Sequence, residues 1–178
     1  FYKVFSYDLN TETTTFYSAS TDEKIAEKTY TDQIVNGFGY EVIASKSYEG
    51  GTLSYQSFDT TYIENELPVR KVFWQKIGTG NKQLLFEVNS NYLGANLVSS
   101  VSTSYDHNSE ILRLDEYSAF YENDLIIWES TGTTSSYSVP TRDSTIYEYE
   151  GNNTVLTILK SYRNNQLSYC VQNRNIEH

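Results

Sequence analysis

The sequence predicts a mainly β fold, an antiparallel meander accompanied by one helix, and three observations carry that prediction. Tyrosine accounts for 17 of 178 residues, beside no methionine and two prolines. It is a bulky strand former with a polar tip, suited to surfaces that are half buried and half wet. Pairs such as Asn123-Asp124, Gly151-Asn152 and Asn164-Asn165 separate β-rich runs, which is the chemistry of short hairpin turns. Only one stretch carries helix punctuation. No linker, composition shift or internal repeat divides the chain, so a single β-rich domain over residues 1–178 is expected.

Tyr2 to Tyr7 alternates and reads as a strand, and Thr13 to Ser18 as a second, with Asn10-Thr11-Glu12 turning between them. A helix is predicted over residues 21–35. Ser20-Thr21-Asp22-Glu23 has capping-box spacing, Ile25, Ala26, Tyr30 and Ile34 follow at helical intervals, and Asn36-Gly37 supplies a left-handed stop. Strands then follow at Tyr40 to Ser45 and Thr52 to Phe58, with an irregular stretch from Asp59 closed by Pro68. Val69 to Ile77 pairs with Lys82 to Val88 across Gly78-Thr79-Gly80-Asn81, whose residues accept positive φ. Leu97 to Tyr105 is a polar strand ending at Asp106-His107-Asn108. The last third places strands at Glu110 to Leu114, Tyr117 to Glu122, Leu125 to Ser130, Thr145 to Glu150, Thr154 to Tyr162 and Gln166 to Gln172. A loop containing Gly132 and Pro140 interrupts them.

A meander of about nine or ten strands has exposed edges, and closure into a barrel removes them. The expected architecture is therefore an up-and-down β-barrel, calycin-like, with the helix packed across it; a two-sheet sandwich is the alternative. The calycin comparison is one of fold alone, since the Gly-x-Trp signature of lipocalins is absent near the start.

Composition also bounds the function. A hydrophobic fraction of 38% with 20% charged residues fits a folded domain. Net charge is −10 and the pI about 4.6, and no basic cluster exceeds Arg70-Lys71. Phosphate backbones and anionic membranes would be repelled, which excludes nucleic-acid partners and membrane insertion by charge attraction. No apolar run is long enough for a transmembrane helix. Cys170 is the only cysteine, so no disulfide forms within the chain. The start at Phe1 suggests a removed leader or a fragment of a longer precursor. Asn152-Asn153-Thr154 is an acceptor for N-glycosylation at Asn152. A secreted or cell-surface location is expected on these grounds.

Catalytic constellations find few residues to use. His107 sits beside Asp106 in a turn and His178 ends the chain, so a Ser-His-Asp arrangement has almost no histidine to draw on. Cys170 has no adjacent base or cation and is expected to be a small buried strand residue. No paired-cysteine, HExxH or calcium-loop spacing is present, so neither metal nor cofactor is expected. Gly78-Thr79-Gly80-Asn81-Lys82 lacks the glycine-lysine-serine/threonine order of a phosphate loop and reads as a hairpin turn. The remaining enzymatic alternative is a carboxylate-based hydrolase or lyase drawing on two of Glu116, Glu122, Glu129, Glu148 and Glu150.

Two local resemblances accompany this reading. Gln33-Ile34-Val35-Asn36-Gly37 resembles the QxVxG inhibitory loop of the cystatin family and follows the predicted helix; the resemblance implies protease inhibition. Asp22 to Val42, with Tyr30-x-Asp32-x-Ile34 and Gly37-Phe38-Gly39-Tyr40, is similar to the early region of phospholipase-B-like hydrolases. That resemblance implies a catalytic cysteine at a newly exposed chain start, a position filled here by Phe1.

The positive evidence is aromatic. Tyr117, Tyr121, Trp128, Tyr147, Tyr149 and Tyr162 lie on predicted strands, and in Thr145 to Glu150 the rings of Tyr147 and Tyr149 share one face. These six are the candidate ligand-binding residues of a non-enzymatic binding protein that holds a small amphipathic molecule or a protein partner. An interaction subunit of an extracellular assembly, oligomeric in that role, is the other expectation.

Overall fold

The computed structural model describes residues 1–150 and 153–174. The chain is all-β: thirteen antiparallel strands form one meander sheet, hydrogen-bonded in sequence order. The strands are β1 (Tyr2–Asp8), β2 (Thr11–Tyr17), β3 (Lys24–Val35), β4 (Phe38–Glu49), β5 (Thr52–Glu64), β6 (Leu67–Ile77) and β7 (Gln83–Leu93). They continue as β8 (Asn96–Tyr105), β9 (Ile111–Glu122), β10 (Leu125–Ser135), β11 (Ser138–Glu150), β12 (Asn153–Arg163) and β13 (Gln166–Arg174). Two compact units divide the chain. The first is Phe1–Glu87 with His107–Ser109, and the second is Val88–Asp106 with the described residues from Glu110 onward.

Three expectations are corrected. The sheet does not close into a barrel, and no second sheet packs on it as a sandwich. The reason lies in the strand faces. Each face mixes rings and aliphatics with Thr, Ser and charge, so neither requires a second layer to exclude water. Among the described residues only Val72, Ser57 and Ser130 are buried, Val72 at 2% exposure.

The helix over 21–35 is absent; β3 occupies nearly all of it. Ala26, Tyr30 and Ile34 stand four apart, and any even spacing also places residues on one face of a strand. The capping-box residues build a hairpin turn instead. Ser18 donates its amide to the Glu23 carbonyl at 2.8 Å, Asp22 donates to the Ser18 carbonyl at 3.0 Å, and the Thr21 amide reaches Ser18 Oγ at 3.3 Å. Asp22 takes a left-handed φ of 60°. Flanking strands then decide the outcome: β3 pairs along most of its length with both β2 and β4. The cystatin-like segment correspondingly lies on a continuous hairpin, Gln33 to Val35 in β3 and Asn36-Gly37 in its turn, with no helix before it.

The third correction concerns loops. The stretch from Asp59 is strand as far as Glu64, and the region around Gly132 and Pro140 belongs to β10 and β11. Glu110 to Leu114 and Tyr117 to Glu122 likewise fuse into β9. Asn123-Asp124 and Asn164-Asn165 turn the chain where expected, Asn36-Gly37 is a hairpin turn in place of a helix stop, and of the expected turn Asn10-Thr11-Glu12 the residues Thr11 and Glu12 belong to β2. Asn36-Gly37, Gly50-Gly51, Asn65-Glu66, Asn123-Asp124 and Asn164-Asn165 are two-residue turns with positive φ at both positions, the type that matches strand twist.

Cross-strand rows hold the first unit together. One face carries Thr13-Thr29-Ala44-Phe58-Trp74 and, beside it, Thr11-Thr31-Val42-Thr60-Val72, each residue directly opposite the next. Lys82 Nζ lies 4.9 Å from the Phe58 ring centre and 4.8 Å from that of Trp74. A third row runs Gln33-Tyr40-Tyr62-Arg70. Tyr40 donates to Gln33, the Arg70 guanidinium lies 5.6 Å from the Tyr62 ring centre, and Arg70 pairs with Glu87 at 2.7 Å. Glu27 joins Lys24 and Lys46 at 2.5 and 2.6 Å, and those two ammonium groups hold its carboxyl below the usual range. Opposite-charge and ring pairs of this kind contribute about 0.2–1 kcal/mol each.

One position at the start of β4 has no steric margin. Gly39 sits at φ +152°, and a Cβ there would stand 1.9 Å from the Gln33 carbonyl oxygen. Gly50, at φ +53°, has nothing within 4 Å of that position. Gly39→Ala is expected to lower stability by more than about 2 kcal/mol, because β3 and β4 must separate locally to admit the methyl. Gly50→Ala should cost about 1 kcal/mol, the left-handed penalty alone. Urea denaturation followed by circular dichroism checks the ranking; equal midpoints would contradict it.

Candidate functional site

Successive strand residues point to opposite faces, and the six aromatic candidates divide accordingly. Tyr117 and Tyr121 of β9 and Tyr147 and Tyr149 of β11 share one face. Trp128 of β10 and Tyr162 of β12 lie on the other, as the opposed pairs Trp128–Ile146 and Arg142–Tyr162 show. They form two constellations.

On the first face Glu129 stands between two tyrosines. Its Oε1 accepts from Tyr147 Oη at 2.6 Å, and its Oε2 faces Tyr117 Oη at 3.4 Å. Register explains the convergence: Glu129 is opposite Ala119 and Thr145, and each tyrosine sits two residues along from one of these. Tyr149 Oη donates to the Ile126 carbonyl at 2.9 Å, and its ring centre is 6.4 Å from that of Tyr147. Burial, followed by the Glu129 hydrogen bond and charge, pushes Tyr147 up to about 12. Tyr117 is raised too, by burial first, then by the neighbouring Tyr121 hydroxyl and Glu129. Here the carboxylate is an acceptor held by two donors, and the phenols are locked in their protonated form.

The other face carries a trough across the strands. Its floor is Ser99, Ser118, Ser130 and Ser144, opposed in register from β8 to β11, and Lys160 continues the row on β12. Trp128 and Phe120 stand on one side, with Ile146 and Ile158 continuing that row. Val101, Glu116, Gly132, Arg142 and Tyr162 form the other side. Serine side chains are short, so hollows open between the two taller rows. The largest, about 330 Å³, is lined by Trp128, Ser130, Arg142, Ser144, Tyr162 and Asn165. A hollow of about 140 Å³ over Ser99, Ser118 and Ser130 adjoins it, one of about 110 Å³ lies beyond the Arg142 side over Thr134 and Pro140, and Arg142 lines all three.

Gly132 lies beneath the Arg142–Glu116 contact, where a Cβ would stand 3.6 Å from Glu116 Oε2 and 3.8 Å from Arg142 Nε, in ordinary contact with both. It lies opposite both Glu116 and Arg142, on the strand between them. Arg142 Nη2 reaches within 3.9 Å of Glu116 Oε2. That separation is too long for a hydrogen bond. The Arg142 side chain remains 62% exposed and keeps donors for a ligand. Lys160 takes part in no ion pair among the described residues. Ser130 is buried and donates to the Asp143 carbonyl at 2.9 Å, which ties the floor to β11.

The remaining sequence candidates fall elsewhere. Glu116 and Glu129 occupy opposite faces; Glu116, Glu122, Glu148 and Glu150 are exposed and Glu129 is half-buried. His107 is exposed in the turn after β8. Cys170, expected to be buried, is exposed on β13 opposite Lys160, because no further layer covers that strand. Asn152 and His178 lie outside the described residues. Among the described residues no group of three His, Cys, Asp or Glu side chains comes together to hold a metal ion. Arg142, Gly132, Ser130 and Ser144 were missed as site residues: Gly132 and Arg142 lie where a loop was expected, and single serines in strands draw no notice. The β-branched run Thr131, Thr133, Thr134 was the available signal.

Comparison with family models, with curated proteins and with solved structures found no match.

The Tyr–Glu–Tyr geometry sets a pH dependence. A tyrosine raised on folding contributes stability that is present below its ordinary value of about 10 and is lost as pH rises through its folded value. For Tyr147 that window runs from about 10 to about 12. Ultraviolet titration of tyrosinate should therefore show late-ionising tyrosines, and Glu129→Gln should bring Tyr147 back towards 10 by removing the facing charge. A titration unchanged by Glu129→Gln would contradict the assignment.

Proposed function

We propose that this chain is a non-enzymatic binding protein and that the trough across β8 to β12 receives an elongated amphipathic ligand. One observation carries this reading: a hydroxyl floor lies between an aromatic side at Trp128 and a cationic side at Arg142, open to solvent. Ligand sites combine apolar walls with a few placed polar groups, and the trough has that composition. Trp128 and Tyr162 offer apolar area, each ring already partly held by its strand, so little conformational entropy is lost on contact. The carboxylates do not favour an enzymatic reading, because Glu129 lies on the face opposite the other four and those four are exposed.

The open sheet sets the expected affinity. A trough with one side to solvent buries only part of a ligand, so binding on the order of 10 µM, about −7 kcal/mol, is expected for a probe that contacts Trp128 alone. The test uses the neutral dye N-phenyl-1-naphthylamine and a Trp74→Phe background, which leaves Trp128 as the only tryptophan. Dye fluorescence should rise on binding while Trp128 emission is quenched, and Trp128→Ala should abolish dye binding with the fold retained by circular dichroism. Dye binding that persists in Trp128→Ala would overturn the reading, as would no binding at all.

A further inference from the structure

We propose that the ligand class of this trough is an acidic saccharide, an oligomer of pyranose rings bearing carboxylates; the inference rests on the binding reading above and names its occupant. Four features on one face lead to it. The floor is made of serine hydroxyls, which both donate and accept and so suit a polyhydroxylated partner better than a purely apolar one. Trp128 at one side and Tyr162 at the other present ring surface to the largest hollow, and the C–H face of a pyranose ring packs against such surface. Arg142 lines both hollows described on the serine floor, and its guanidinium fork fits a carboxylate in two-point fashion. Lys160 continues the floor row beside Tyr162, without an ion pair among the described residues.

Charge sharpens the choice. The chain as a whole carries −10, yet the charged residues on the floor and the Arg142 side of the trough are Arg142 and Lys160 against Glu116, with Glu122 and Glu148 lying beyond the aromatic row. The long Arg142–Glu116 contact of 3.9 Å leaves the guanidinium incompletely neutralised. A ligand carboxylate can therefore take the Arg142 fork without first breaking a close ion pair. Shape points the same way. The trough crosses four interstrand steps from β8 to β12, about 19 Å at ordinary strand spacing, and is open along its length. A chain of several rings fits that dimension; a single compact metabolite would occupy one hollow only.

The test is isothermal titration of the intact chain with hexasaccharides of galacturonate, mannuronate and glucuronate, beside a neutral galactose hexasaccharide and a hexaglutamate peptide. At least one uronate oligomer should bind about tenfold or more tighter than the neutral one, the difference being the charged fork contact. Arg142→Gln should lose that preference while keeping the weak neutral binding, and Arg142→Lys should recover only part of it. Arg113→Gln, on the opposite face, changes net charge equally and should leave the affinity unchanged. Uronates binding no better than the neutral oligomer would overturn the inference. Hexaglutamate binding as tightly as the best uronate would also overturn it, because charge alone would then suffice. Naphthylamine dye binding at Trp128 with no uronate binding defeats the saccharide assignment alone; failure of both defeats the binding reading as well.

Discussion

Side-chain contact between directly opposed strand residues is the interaction on which this structure depends. Few residues are buried, and Val72 is the one buried hydrophobic residue among those described. The stabilisation that a packed interior would supply must come from neighbours on the same face. Each opposed pair contributes only about 0.2–1 kcal/mol, so many are needed, and long strands supply them. The composition follows from this requirement. Threonine packs its methyl against a neighbour and keeps a hydroxyl for solvent, as Thr11–Thr31 and Thr13–Thr29 do at 3.3 and 3.4 Å. Tyrosine covers a wide area and ends in a polar group. Lysine and arginine lay their stems along rings while their charged ends stay wet, as Lys24 does over Tyr48.

The same principle explains what the sequence disclosed and what it concealed. Turns were legible because their chemistry is local: Asn123-Asp124 and Asn164-Asn165 need positive φ and announce it. Segment 24–35 was not, because Ala26, Tyr30 and Ile34 satisfy a helical stripe and a strand face alike, and only pairing with β2 and β4 separates the two. The region from Thr131 to Ser144 was read as loop since Gly132 and Pro140 are strand breakers in isolation. In place, Gly132 pairs with both Glu116 and Arg142, and Pro140 supplies a carbonyl that accepts from the Asn164 amide at 2.9 Å. The aromatic candidates were correctly placed on strands. Their division between two faces was invisible, because it depends on register accumulated across several pairs, including the irregularity between Ile126 and Trp128.

That irregularity shows how little separates one surface from another. A one-residue shift in pairing exchanges the two faces of a strand. In β10 the irregular step at Ile127 accompanies an arrangement in which Tyr121 opposes Ile126 while Phe120 opposes Trp128. Glu129 thereby meets Tyr117 and Tyr147, and Trp128 stands over the trough. Both constellations are consequences of the same register, yet they are chemically independent because the backbone layer lies between them. One side is a half-buried carboxylate that accepts from two phenol donors. The other keeps its donors turned outward.

Arg142 decides the character of that outward face. Among the described residues its one ionic neighbour on the trough is Glu116, held two strands away across a glycine. A close carboxylate would have neutralised it, as Glu87 of the neighbouring strand does Arg70 and Asp115, two residues along the same strand, does Arg113, both at 2.7 Å. In those pairs the guanidinium's best donors are taken. At 3.9 Å the Coulomb attraction persists but no hydrogen bond forms, so Glu116 orients the arginine without consuming it. An acidic chain thus presents one guanidinium, backed by Lys160, in a lined depression. Its position follows from register rather than from any local motif.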